Sequence, residues 1–214
     1  TAKPDEKDMW VDYCRQANRL DDLIIVEPGG KHFFNFLQYE SENRVGGTSI
    51  TENIVQVLKT VIQSSEEKTK GKSDDSFWEN ALDMLIFNSI DLCKLAYGSV
   101  TVSQLYSIVQ TAPRQKEDFK KEPKPNTWLH AIDLATTNSM RQIDALKESL
   151  STEDQERWKV DDVFKEKIAS ENLPDYVTLH TVNDFFIDTY TFLAEKTRSI
   201  IEFCFSGFLF RLKN

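Results

Sequence analysis

Over most of this chain apolar residues recur every three or four positions, the spacing of one face of an α-helix rather than of a strand. Met9, Trp10, Tyr13, Cys14 and Ala17 form the first such stripe. With Pro4 near the start and acids in the first turn, they predict a helix over 5–18. A short unbroken apolar run, Leu23-Ile24-Ile25-Val26, then lies between Asp21-Asp22 and Pro28-Gly29-Gly30. It is the best strand in the sequence, and its lack of alternation predicts burial on both faces. Phe33 to Leu37 is a second extended candidate.

From Ser49 the period turns helical. Ser49 and Glu52 have the spacing of a capping box, and Ile50, Ile54, Val57, Leu58, Val61 and Ile62 follow on one face. The polar stretch Ser64 to Asp74 predicts a loop. Asp74 or Asp75 caps the next helix, through Phe77, Trp78, Ala81, Leu82, Leu85, Ile86, Ser89, Ile90 and Cys93, and Gly98 stops it. Apolar residues on more than one of its sides predict the central helix of a bundle. Thr101 and Gln104 make a second capping box ahead of Leu105, Tyr106, Ile108 and Val109, a helix that Pro113 ends.

Arg114 to Asn126, with Pro123, Pro125 and mixed charge, predicts a long surface loop. Asn126 or Thr127 opens a helix at Trp128, and helical spacing resumes through Met140, Ile143, Leu146 and Leu150. Ser151 and Asp154 begin a segment carrying Trp158, Val163, Phe164 and Ile168, which Pro174 breaks. Thr181 with Asp184 then caps the last long helix, which carries Phe185, Phe186, Leu193, Ile201 and Phe208. The expected fold is mainly α: an all-α helical bundle over 49–214, with a small α/β remnant over 1–48.

Composition agrees with a soluble globular chain: 214 residues, 40% hydrophobic and 29% charged. The net charge of −9 works against strong binding of duplex DNA, which depends on Lys and Arg displacing counterions. Cys14, Cys93 and Cys204 are three, dispersed and among apolar neighbours, so free thiols in a reducing cytoplasm are expected rather than a disulfide framework. The first residues are polar, unlike a signal peptide. The apolar tract from Ile200 to Leu212 is broken by Glu202, Ser206 and Arg211, and falls short of the roughly 20 residues that span a bilayer. A cytoplasmic location without membrane contact is the expectation.

Catalytic signatures are missing. Gly71-Lys72-Ser73 has the tail of a phosphate-binding loop, but the position of its required first glycine is Glu66, and no strand precedes it. No Gly-x-Ser-x-Gly elbow or His-Glu-x-x-His motif occurs, and neither His nor Cys residues show metal spacing. No enzyme activity, cofactor or metal is expected of this chain. Two cationic clusters remain as candidate contact residues: Lys68, Lys70 and Lys72 in the first long loop, and Arg114, Lys116, Lys120, Lys121 and Lys124 in the second. Glu117, Asp118 and Glu122 dilute the second, and mixed-charge loops ordinarily serve solvation.

Several longer words occur in a fixed order. They are Lys3-Pro4-Asp5-Glu6, Leu23 to Val26, His32-Phe33-Phe34-Asn35-Phe36 continued by Leu37-Gln38-Tyr39-Glu40, and Thr51-Glu52-Asn53-Ile54-Val55. Asp75-Ser76-Phe77-Trp78-Glu79-Asn80-Ala81, Val100 to Tyr106 and Lys196 to Ile201 follow. The series resembles the stretch between the two Walker motifs in the type IV secretion coupling proteins (TraG/TraD-like DNA-translocating ATPases, kin to FtsK and HerA). The resemblance implies that 1–48 is a remnant of the RecA-like nucleotide-binding domain and 49–214 the inserted all-α domain. It further implies a cytosol-facing role in receiving protein cargo or a relaxosome component. ATP and Mg would belong to a hexameric parent at the inner membrane, not to this chain. The competing readings are a mechanical or regulatory insert of a related translocase, and an unrelated all-α interaction module.

Overall fold

The computed structural model of the chain describes residues 5–27, 29–32, 35, 37–39, 49–66 and 75–213. The fold is mainly α and 79% helical, with no strand among the described residues. The chain forms two compact units, Thr1–Phe36 and Leu37–Asn214.

In the first unit, α1 (Asp5–Gln16) stops where Asn18 turns left-handed at φ 55°, and the chain passes into a 3₁₀ turn at Leu20–Asp22. The expected strand does not form. Leu23 to Ile25 are irregular, and a single parallel bridge joins Val26 to His32 across the turn at Gly29. Burial on both faces fails with it: Ile24 is 70% and Val26 56% exposed. A buried parallel strand needs neighbours that saturate its backbone and cover its faces, and among the described residues this run has one bridge. The stripe of α1 is likewise uncovered, with Met9, Trp10 and Tyr13 exposed. Phe33, Phe34 and Phe36 lie outside the described residues, whereas Leu37, expected to be extended, is helical and buried.

In the second unit, α2 (Ser49–Glu66) begins at Ser49 itself and runs through Ser64 and Ser65 into the stretch expected as a loop. Then α3 (Asp75–Tyr97) is the central helix, packed by α2, α4 (Val102–Thr111), α5 (Trp128–Ser149), α8 (Pro174–Asp184) and α9 (Glu195–Lys213). Leu85, Ile86, Ile90, Leu92 and Cys93 are wholly buried along it. Gly98 ends α3 at φ 67°, a conformation that costs other residues about 1–2 kcal/mol, and its N–H donates to the Lys94 carbonyl at 2.9 Å. The capping box forms as spaced: the Gln104 N–H donates to Thr101 Oγ1 (3.2 Å), and the Thr101 N–H to Gln104 Oε1 (2.8 Å).

Beyond Trp128 the helical segments divide differently from the expectation. The two stretches on either side of Met140 are one continuous helix, α5. The segment after Ser151 is two helices, α6 (Thr152–Val160) and α7 (Asp162–Asn172), because Asp161 leaves helical geometry and accepts the Phe164 N–H at 2.9 Å as a new cap. Pro174 is the first residue of α8, where its missing N–H would have had no helical partner anyway. Thr181 is not a cap; it lies inside α8 and donates to the Val177 carbonyl at 3.2 Å. The helix continues into a π turn at Phe185–Tyr190, and α9 starts afresh at Glu195. That turn carries Phe186 and Tyr190 into the core, where the Phe186 ring lies 5.3 Å from that of Trp128 and 5.7 Å from that of Tyr190. No helix among the described residues is long and apolar enough to cross a membrane.

Candidate partner-contact surface

The connection from α4 to α5 is built, not slack. Lys116–Lys120 form a 3₁₀ turn, and the Asp118 carboxylate closes it by accepting the N–H groups of Arg114 (2.9 Å) and Gln115 (3.2 Å). Asp118 also pairs with Lys121 at 2.6 Å. That bond, and then the backbone donors, holds its carboxyl below the usual range. Phe119 points inward and meets Trp128 edge-on, ring centroids 5.5 Å apart. At the far end Asn126 turns left-handed (φ 58°) and Thr127 caps α5 through the His130 N–H at 3.3 Å. The Trp128 backbone N–H donates to Thr111 Oγ1 at 2.7 Å, so the two ends of the connection are fastened together.

A second anchor reaches α9. The Arg114 guanidinium donates to Glu202 Oε2 at 2.7 Å, the Tyr190 hydroxyl donates to the same carboxylate, and Arg198 donates to the Arg114 carbonyl at 3.0 Å. Glu202, Arg198 and Tyr190 are all buried. Burial, followed by the hydrogen bond to Glu202, pushes the Tyr190 phenol far above its ordinary range. A buried carboxylate is tolerated when its oxygens are satisfied, and both oxygens of Glu202 are.

The loop and the helix ends it joins line a cleft of about 560 Å³, with Ala112, Pro113 and Leu129 as apolar lining and Arg114, Lys121 and Lys124 beside Asp118 and Glu122 as charged lining. The structure therefore gathers three of the five candidate cations of this loop. Lys116 lies elsewhere, over the Phe192 ring at 5.4 Å, and Lys120 is exposed away from the cleft. Arg114 is committed to Glu202 and Lys121 to Asp118, while Lys120 and Lys124 hold no ion pair among the described residues. Lys68, Lys70 and Lys72 lie outside the described residues.

Sequence reasoning missed Glu202, Arg198 and Tyr190. A signal was present: Arg198 and Glu202 stand four apart on the face of α9 that also carries Ile201, Phe205 and Leu209, so burying that face buries both charges. Comparisons with family models, with curated proteins and with solved structures find no match to this chain.

Proposed function

We propose that this chain is the cytosol-facing helical domain of a coupling ATPase of the type IV secretion kind, and that it receives protein or nucleoprotein cargo on the α4–α5 connection. The observation that carries the reading is a cation-bearing loop fixed at both ends and in its middle, beside an open cleft. A surface already held in shape spares binding the cost of ordering it. The ordered sequence words supply the kind of parent. ATP and Mg belong, in this reading, to parts of a hexameric parent, and the chain takes no nucleotide itself.

The test is co-purification of the full chain with the transfer proteins encoded beside its gene, run next to a duplex-DNA gel shift over a salt series. Retention of a protein partner, lost in a variant carrying Lys120→Ser, Lys121→Ser and Lys124→Ser, is expected. Tight, salt-sensitive DNA binding with no protein retained would overturn the cargo role. Retention of nothing at all would favour a mechanical insert.

A further inference from the structure

Three consecutive residues at the end of the π turn each reach the α4–α5 loop. The Tyr190 hydroxyl donates to Glu202, whose other oxygen accepts from Arg114. The Thr191 and Arg114 carbonyls share the buried Arg198 guanidinium, at 3.4 and 3.0 Å. The Phe192 ring lies under Lys116 at 5.4 Å. A change of direction at 190–192 would therefore undo the hold on the loop from its α9 side.

The π turn sets which residue of this stretch faces inward. On an unbroken α-helix Thr189 would stand about 20° round the axis from buried Val182, on the core side, and Tyr190 about 80°. The structure has the reverse: Tyr190 has no exposed surface, and Thr189 is exposed. A π turn holds one residue more than the α turn it replaces, and that residue brings Tyr190 into the place of Thr189. The α register is nevertheless open to this sequence. In it Ile187 and Asp188 stay outward, where both already are exposed. Thr189 would bring in a small side chain whose hydroxyl can donate to the carbonyl four residues back.

We infer that Phe185–Tyr190 is a two-register element that governs the loop. In the π register Tyr190 closes on Glu202 and the loop is held; in the α register Thr189 takes the inward place, Tyr190 leaves Glu202, and the loop is freed on that side. The π register is the major one because it buries the whole Tyr190 ring, 5.9 Å from that of Phe185 and 5.7 Å from that of Phe186, where the α register buries only Thr. What stands at 189 therefore sets the population of the minor register. An element with two discrete packings is what carries a local change to a remote one. That a freed loop loses its hold on cargo rests on the function proposed above. The register change does not, and is read without any ligand, so either can fail while the other stands.

Hydrogen–deuterium exchange of the full chain, resolved by peptide, is the test. Thr189→Leu alters an exposed helical position, where substitution ordinarily changes little. Here it should favour the α register through burial of the Leu side chain, quickening exchange about tenfold or more in 114–120 and 185–194 while α3 keeps its native rates. Tyr190 should become open to nitration in the same variant. Thr189→Asp cannot turn inward without burying a charge, so it should leave the loop at or below its native rate. Native rates in both segments of Thr189→Leu, or a rise spread alike over every helix, would overturn the proposal. So would a Thr189→Asp chain whose loop quickens as much as that of Thr189→Leu.

Discussion

Replacing Glu202 by Leu probes the anchor that holds the α4–α5 connection to α9. In the native chain the carboxylate accepts from Tyr190, a residue with no exposed surface, and from Arg114, whose side chain is 60% exposed. Leu removes both acceptors. Stranding the buried Tyr190 hydroxyl costs about 1–3 kcal/mol. Losing the Arg114 pair costs less, about 0–1 kcal/mol, because that guanidinium stays largely in water. A net loss of about 2–3 kcal/mol is therefore expected. Tyr190→Phe leaves the carboxylate paired with Arg114 and should cost about 1 kcal/mol. In the double variant no hydroxyl is stranded, so the losses should fall short of their sum by about 1–2 kcal/mol. Urea unfolding followed by far-ultraviolet circular dichroism measures all three variants. Hydrogen exchange should meanwhile quicken at Arg114 and along 116–120 in Glu202→Leu, because the loop loses one of its fastenings. Additivity to within about 0.5 kcal/mol, or unchanged exchange in the loop, would refute the reasoning.

Three further outcomes follow from the same structure. Burial raises the pKa of Tyr190, and a hydrogen bond to Glu166 leads in pushing Tyr176 up to about 12. Since the folded values lie above the unfolded one, their contribution is present below about pH 10 and is lost as pH rises beyond it; an absorbance titration should show Tyr190 ionising only as helicity disappears, and early ionisation in an intact fold would contradict this. Burial also raises Asp91, outweighing the Thr51 hydrogen bond and nearby Lys94. Its contribution is thus present below the ordinary carboxyl value and lost as pH rises through the raised one, so Asp91→Asn should gain in Tm on the native chain between about pH 4 and pH 7; a constant difference over that range would count against it. Thr101→Ala should lower stability by about 1 kcal/mol through loss of the cap, with Ser103→Ala, two residues along and exposed, as the near-silent control in the same thermal melts.

What was legible in the sequence was local. The capping box at Thr101, the stop at Gly98 and the cap offered at Asn126 or Thr127 each rest on residues within a few positions of one another, and all are found, the cap at Thr127; the central place of α3 rests on a helical period sustained from Phe77 to Cys93, and it too is found. The misreadings share a different origin. Pro174 was expected to break the segment before it, and α7 does end at Asn172; what went unread is that the same proline opens α8, because the restriction proline imposes is compatible with either side of a boundary. Thr181 and Asp184 have cap spacing, but the Thr hydroxyl is taken by the carbonyl four residues back, and the helix runs on into a π turn that no periodicity announces. The strand at Leu23 to Val26 failed because a strand is a property of its neighbours as much as of its residues. The loop cations were visible at once, whereas their partners Glu202 and Tyr190 lie far along the chain and were not.

Those partners decide how the loop meets nucleic acid. Between Arg114 and Lys124 the sequence holds five cations against three acids, which by count favours phosphate contact on a chain whose net charge is −9. The geometry withdraws most of that charge: Arg114 is spent on Glu202, Lys121 on Asp118, and Lys116 rests over Phe192. Lys120 and Lys124 are left, and two phosphate contacts correspond to a slope of about −1.8 in log K against log salt, where proteins built for duplex DNA make six to ten such contacts. The full chain should therefore bind duplex DNA weakly, with a slope near −2 that approaches zero when Lys120 and Lys124 are both changed to Ser. Anisotropy of labelled duplex over a salt series reads that slope directly. A value steeper than about −5 would mean that the ion pairs open on binding, or that Lys68, Lys70 and Lys72 join the contact, and the loop would then have to be read as a nucleic-acid surface after all.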